Sequence, residues 1–151
     1  MAVEVVVPAD VFRMPFKVRY YEVDQQKVVF HSWYLAYFDE AFGEFLAARG
    51  FGYPELISSG VDVMLVHSEL DWHGSLRWAD EAEVLVSVVA IGQSSLTLDY
   101  AVVRADAPLC SGRSVYVTVD AAEFTRVDVP GGLRTALGAP VAMRRQRPGR
   151  R

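Results

Sequence analysis

Val18-Arg-Tyr-Tyr-Glu-Val-Asp24-Gln-Gln-Lys-Val-Val-Phe-His31-Ser-Trp-Tyr34 is the stretch whose reading decides how this chain folds. It passes from an extended, aromatic-rich segment through a polar turn into the start of an amphipathic helix. Downstream, Tyr34, Leu35, Phe38, Ala41, Phe42, Phe45 and Leu46 fall at i, i+3, i+4, i+7 spacing. That spacing predicts a helix over Trp33 to Arg49 with one wide apolar face. Gly50 is placed to end it, because glycine readily takes the left-handed conformation that closes a helix. Asp24, at the strand-to-helix junction, then lies near the positive end of the helix, where backbone N–H groups are free. The pairing suits acyl chemistry: a carboxylate attacks a carbonyl or deprotonates water while a helix-end amide polarises the carbonyl oxygen.

Outward from that stretch, residues 1–13 form a leader without a clear pattern, and Pro15 to Tyr21 alternates and is rich in β-formers, predicting the first strand. After the helix, a Pro54-Glu-Leu-Ile turn and Gly60 lead into strands at Val61–Trp72, Ala82–Ile91, Leu96–Arg104 and Leu109–Asp120. Gly92-Gln-Ser-Ser95 and Ala105-Asp-Ala-Pro108 supply hairpin turns between them. A short segment at Ala122–Val127, then Pro130-Gly-Gly and a brief helix at Leu133–Leu137, complete the order. One long helix before a meander gives an α+β domain, with the helix wrapped by a five- to six-stranded antiparallel sheet. The helix cannot cover both sheet faces, and an edge rich in β-branched residues invites a partner strand, so pairing between copies is expected. The reading is a single domain over 1–151, with its core at about 14–138 and a basic, disordered tail at 139–151.

At 151 residues and 52% apolar, the chain suits one sizeable core and is short for two. A formal charge of −4 argues against nucleic-acid binding, which needs a dominating basic face. Arg144, Arg145, Arg147, Arg150 and Arg151 instead crowd the C-terminus beside Pro148 and Gly149, as a solvated tail or as a contact for a cofactor phosphate. The N-terminus lacks the basic start of a signal peptide, and no apolar run approaches the ~20 residues of a membrane span. A soluble, cytoplasmic protein is expected. Cys110 stands alone, so no internal disulfide forms, and its strand setting suits a core or edge residue better than a nucleophile. His31, His67 and His73 show no metal-ligand spacing, and no metal is expected.

Tyr20-Tyr21-Glu22-Val23-Asp24, then Val28-Val29-Phe30-His31 and Tyr34-Leu35 opening a helix, resembles the 4-hydroxybenzoyl-CoA thioesterase-like branch of the hotdog-fold thioesterases. The resemblance runs from about Phe16 to Leu137 and is specific only around Asp24. It implies a hotdog fold, assembled as a homodimer or homotetramer through sheets paired across a two-fold axis. It also implies an acyl-CoA thioesterase that releases a free acid and CoA, with no cofactor beyond the coenzyme A of the substrate. Asp24 is then nucleophile or general base, a choice the sequence leaves open, and the His31 backbone N–H is the donor to the thioester oxygen. Val29, Phe30, Trp33, Tyr34 and Phe38 are candidates for the substrate pocket, although an aromatic stripe at helical spacing also serves as plain core. A thioester of an acyl-carrier protein fits the same catalytic residues. A non-catalytic acyl-CoA-binding hotdog protein is the competing class, and a hotdog dehydratase, pairing a His with a carboxylate in another motif, is a third.

Three residues depart from the family pattern. Lys27 stands where Gly is usual, which strains or abolishes a left-handed loop conformation. Trp33 replaces a common Asn at the helix start, removing a polar cap, and Phe42 stands where Arg is frequent. Among other acids, Glu22 shares the face of Asp24 if the strand continues, and Asp39, Glu40 and Glu44 lie on the helix, where another hotdog branch keeps its working carboxylate. His67 and His73 are expected to pack or face solvent, and Arg77 to pair with Asp80 or Glu81.

Overall fold

In the computed structural model, which describes residues 3–146, the apolar stripe becomes α1, Trp33–Ala48. The full order is β1 (Val3–Val5), β2 (Phe12–Lys17), a 3-10 turn (Tyr20–Glu22), α1, α2 (Tyr53–Ser58), β3 (Val61–Trp72), β4 (Glu81–Ile91), β5 (Ser95–Arg104), β6 (Ala107–Asp120), α3 (Gly131–Leu137) and β7 (Arg144–Gln146). Five strands make one antiparallel sheet in the order β2-β4-β5-β6-β3, and β1 pairs with β7 apart from it. Register shifts at Leu65/His67, Val88/Ala90 and Val102/Val103 bend the sheet around α1. This is the expected α+β hotdog architecture.

The inner face is held by apolar packing. Val84, Val86, Leu96, Leu98, Tyr100 and Val102 join the buried face of α1 in one core. Phe38 stacks flat on Tyr100, with ring centroids 4.6 Å apart, and Gly112 makes room for it: a Cβ there would come within 2.5 Å of Phe38 Cε2. The Tyr100 and Tyr116 hydroxyls share a 2.6 Å hydrogen bond, which removes the cost of burying two phenols.

Three expectations change. The first strand is Phe12–Lys17, because the chain bends after Val18, whose N–H donates to Asp80 O, and Arg19 and Glu22 close a capping box. The Pro54 turn is a helix, α2, with proline in its first turn, where no amide partner is lost. The short segment at Ala122–Val127 is a turn carrying one bridge, Val119 to Arg126, and adds no strand to the sheet. Within the segment read as a disordered tail, residues 139–146 lie on the fold: Met143 is buried with Leu85, Ala101 and Val103 on the outer sheet face. Arg144 is buried too, paired with Asp71 and, at 3.5 Å, with Glu69. Asp99, completely buried, accepts from Arg113 Nε at 2.7 Å and from the N–H groups of Met143 and Arg144 at 2.9 Å each. Arg147, Arg150 and Arg151 lie outside the described residues. Among the described residues no helix is long and apolar enough to cross a membrane.

Candidate active site

The Asp24 loop is tied down on both sides. Val23 bridges Val29, Asp24 N donates to Val28 O and Lys27 N to Asp24 O, each at 2.9 Å. Phe30 N donates to Glu22 O and Val29 N to Leu76 O, so the loop is anchored to the 3-10 turn and to a buried leucine. Lys27 keeps the left-handed conformation, φ 64°, that its glycine-like position demands. The Asp24 carboxylate does two things. Its Oδ1 accepts the Gln26 N–H at 2.8 Å, an Asx turn that fixes the side chain. Its Oδ2 accepts no bond from any described residue, leaving one oxygen available to a substrate.

Facing it is the opening of α1. The N–H groups of Trp33, Tyr34 and Leu35 reach back to Phe30, His31 and Ser32 carbonyls, while Ser32 caps the helix without a side-chain bond. The His31 and Ser32 N–H groups donate to no acceptor among the described residues. They are the unsatisfied donors of a helix start. Asp24, Val29, His31 and Tyr34 line one recess of about 200 Å3, closed by Gln26 and Val28 and, from the end of β3, by Trp72, Gly74 and Ser75. The Trp72 ring stands edge-on to Tyr34, with centroids 5.9 Å apart. Burial, above all, pushes the Tyr34 phenol up to about 12, so that hydroxyl stays protonated beside Asp24.

The remaining candidates disperse. Phe30 is half-exposed against the His31 ring, 4.0 Å between centroids, and Trp33 packs on Tyr21 at 5.8 Å; neither lines the recess. Phe38 is plain core beneath Tyr100. Phe42 is buried against Tyr116, which explains an apolar residue there. Glu22 turns inward: its carboxylate accepts from Arg19 N at 2.8 Å and faces the buried Tyr37 phenol, whose pKa is raised by burial first and then by that charge. Asp39, Glu40 and Glu44 are exposed and away from the recess. Cys110 is fully buried and its thiol pushed up to about 12, chiefly by burial, which rules it out as a thiolate nucleophile. His67 is exposed at the β3 bulge, and His73 Nε2 lies 3.3 Å from Ser111 Oγ. Arg77 makes no ion pair with Asp80; Asp80 pairs with Arg104 at 2.7 Å and accepts only the Arg77 backbone N–H. Among the described residues no three His, Cys, Asp or Glu side chains gather to hold a metal.

Trp72, Gly74 and Ser75 were not singled out by sequence. Their only local signal is an aromatic residue at a strand end followed by small residues, which is common at turns.

A long helix seated in a curved antiparallel sheet, with a half-free carboxylate near helix-start amides that have no acceptor among the described residues, is an arrangement suited to acting on a carbonyl group. The family model of the thioesterase superfamily matches residues 26–111, beginning just after Asp24. A protein of Aquifex aeolicus (strain VF5) is 32% identical over 110 residues, covering 70% of this chain and 86% of the relative. The acyl-CoA thioester hydrolase YbgC of Shigella flexneri is 26% identical over 106 residues, covering 70% and 79%. The crystal structure of a 1,4-dihydroxy-2-naphthoyl-CoA thioesterase from Synechocystis superposes with a TM-score of 0.76 at 21% identity, covering 84% of this chain and 95% of that one; it bears on fold alone. This chain belongs to the thioesterase superfamily, whose members hydrolyse thioesters.

Proposed function

We propose that this enzyme hydrolyses an acyl- or aroyl-CoA thioester to the free acid and CoA, with Asp24 as nucleophile or general base and the His31 N–H as oxyanion donor. The observation that supports it is one recess lined by both Asp24, whose Oδ2 is free among the described residues, and His31, whose N–H has no acceptor among them. As nucleophile, Asp24 Oδ2 bonds to the carbonyl carbon, the C–S bond breaks, the CoA thiolate takes a proton from solvent, and water then cleaves the acyl-aspartyl anhydride. As base, Asp24 takes a proton from water while the oxygen attacks the same carbon, and the thiolate leaves with that proton. In both routes negative charge builds on the carbonyl oxygen. A fixed amide donor there contributes about 3–4 kcal/mol to the barrier lowering.

The same reading pairs β3 with a second copy. Among the described strands only β6 pairs with it, and Met64, Leu65, Val66 and Trp72 are about half exposed along it. An open, apolar edge of this length supports a homodimer, or a homotetramer built from two. Since Trp72 walls the recess, pairing there sets the site beside the interface. The lone, buried thiol suits a reducing, cytoplasmic setting.

The test is thiol release from short, long and aromatic acyl-CoAs by wild type and Asp24→Asn. A fall in kcat of about three orders of magnitude or more is expected, since the substitution removes nucleophile and base alike. Turnover within about tenfold of wild type would move catalysis away from Asp24. Gel filtration showing a monomer at micromolar concentration would remove the interface.

A further inference from the structure

Residues 139–146 strap the outer face of the sheet, held at first by backbone bonds and apolar packing. Val141 N–H donates to Val88 O at 2.7 Å, and Met143 is buried with Leu85, Ala101 and Val103. At Arg144 the chemistry changes. Its buried guanidinium donates from Nε to Ser111 Oγ at 3.2 Å, from Nη1 to Glu69 at 3.5 Å and from Nη2 to Asp71. Resting on the thioesterase reading above, we infer that Arg144 is a positioning residue of the substrate recess. By holding Asp71 and Ser111 on the outer face, it sets Trp72 and Gly74, which wall the recess on the inner face.

The argument starts from alternation along a strand, where successive side chains point to opposite faces. Trp72 and Gly74 line the recess, and the residues before each of them belong to the Arg144 cluster. Asp71 takes the guanidinium, and His73 Nε2 lies 3.3 Å from the same Ser111 Oγ that Arg144 meets. Asp71 and Ser111 are also register partners across β3 and β6, so the fork closes on a cross-strand pair. The main chain of Arg144 extends the hold. Its N–H donates to Asp99 on β5 at 2.9 Å, and its carbonyl accepts from Arg113 on β6 at 3.2 Å. One residue thus ties β5, β6 and β3 together behind the recess wall.

That wall needs such a hold. Among the described strands β3 pairs on one side only, and its exit hangs on one carbonyl. Leu109 O accepts both the His73 N–H at 2.8 Å and the Gly74 N–H at 3.0 Å. Gly74 already sits tight there, since a Cβ would come within 2.7 Å of Leu109 Cδ2. Stability alone does not call for the arginine. A buried ion pair gains little over apolar residues of similar volume, and apolar packing already secures the strap at Met143. What a guanidinium adds is direction, through several donors held at fixed angles. The strap lies beyond residues 26–111, where the family model matches.

The experiment compares wild type with Arg144→Met, Asp71→Asn, their double variant and Met143→Ala, on the acyl-CoA of the panel above that wild type turns over fastest. Arg144→Met keeps the bulk of the side chain. It is expected to raise KM about tenfold with kcat within about threefold, because Asp24 and His31 are anchored without the strap. A merely structural role lowers the active fraction, and with it kcat, and leaves KM unchanged. Met143→Ala, which loosens the strap through a cavity, should behave in that second way. Asp71→Asn should raise KM as Arg144→Met does, and the double variant should add nothing to the larger single effect. Asp71 is partly exposed, so its variant keeps the test open should Arg144→Met fail to fold. Loss of kcat alone in both single variants, a KM rise shared by Met143→Ala, or additive effects would overturn the proposal. Fluorescence separates it from the activity. With Trp33 and Trp78 replaced by Phe, Trp72 is the one tryptophan left of three. Arg144→Met or Asp71→Asn in that background should shift its emission to the red, as the ring leaves Tyr34. An unchanged emission, or a shift that gel filtration traces to altered assembly, would sink the inference. If no thioester is turned over, the thioesterase reading falls, and the emission alone decides whether Arg144 sets Trp72.

Discussion

The two ends of α1 are built to opposite plans. At the C-terminal end every late amide is used. Arg49 N–H reaches Phe45 and Leu46 carbonyls, Gly50 N–H donates to Ala47 O and Phe51 N–H to Leu46 O, with Gly50 at φ 75°. This is a Schellman closure, and the Arg49 guanidinium adds a bond to Ala136 O and a seat 4.8 Å over the Phe45 ring. At the N-terminal end, Ser32 makes no side-chain cap, the first turn carries no acid, and the His31 and Ser32 amides find no acceptor among the described residues. A helix start is ordinarily completed by a capping side chain worth about 1 kcal/mol. Here that stabilisation is forgone where a substrate oxygen can take its place. The closed end serves the fold, and the open end is the one that the proposed chemistry would use.

The sharpest way to break this contrast is to remove the open donor. His31→Pro deletes the N–H and is expected to lower kcat about 100-fold or more, the loss seen when an oxyanion donor is removed. His31→Ala keeps the amide and should stay within about tenfold of wild type, since only the ring is lost. Thiol-release kinetics on both decide the matter: equal losses would mean that the imidazole, not the backbone, does the chemistry.

A second effect tests how far the openness extends into the protein. Tyr34 beneath the open end, with Cys110 and Tyr116 deeper, are each pushed up to about 12, first by burial. Raised values mean that the folded state holds these protons more tightly than the unfolded chain. Their stabilisation is therefore complete below the unfolded thiol value of about 8.5 and declines as pH rises toward 12. Urea midpoints should be level from pH 7 to 8 and fall steadily above about pH 9. Tyr34→Phe should flatten part of that decline. An unchanged profile in the variant would show that Tyr34 already titrates freely and that the open end reaches its ring.

What the sequence made legible follows the range of the interactions involved. α1, its Gly50 stop and the hairpins at residues 92–95 and 105–108 rest on local spacing and turn chemistry, and they stand as expected. Asp24 and His31 fall on one recess because a short loop joins them. Trp72, Gly74 and Ser75 reach that recess only through sheet curvature, which no local pattern encodes. Arg144 is the clearest case. In sequence it belongs to a basic run, yet it is buried by Asp71, 73 residues earlier, and by Ser111. Glu22 fails differently: alternation put it beside Asp24, but Arg19 offers its backbone N–H and guanidinium, and the strand gives way to a 3-10 turn.

The smallest effects separate the two ends by backbone alone. Gly50 and Lys27 occupy nearly the same left-handed conformation, φ 75° and 64°. One is the residue suited to it and the other is not. A side chain there costs about 1–2 kcal/mol, and glycine costs about 0.5–1 kcal/mol in unfolded-chain entropy, so the two partly cancel. Gly50→Ala should therefore destabilise by about 0.5–1 kcal/mol, and Lys27→Gly should stabilise by about 0.5 kcal/mol. In a chain of this length that moves the melting temperature by about 1–3 °C in opposite directions. Calorimetry on both variants gives the comparison directly. A Lys27→Gly protein that melted lower than wild type would mean that the lysine side chain supports the unliganded fold. The ammonium would then be engaged in the free protein, and that contact would offset the left-handed backbone at residue 27.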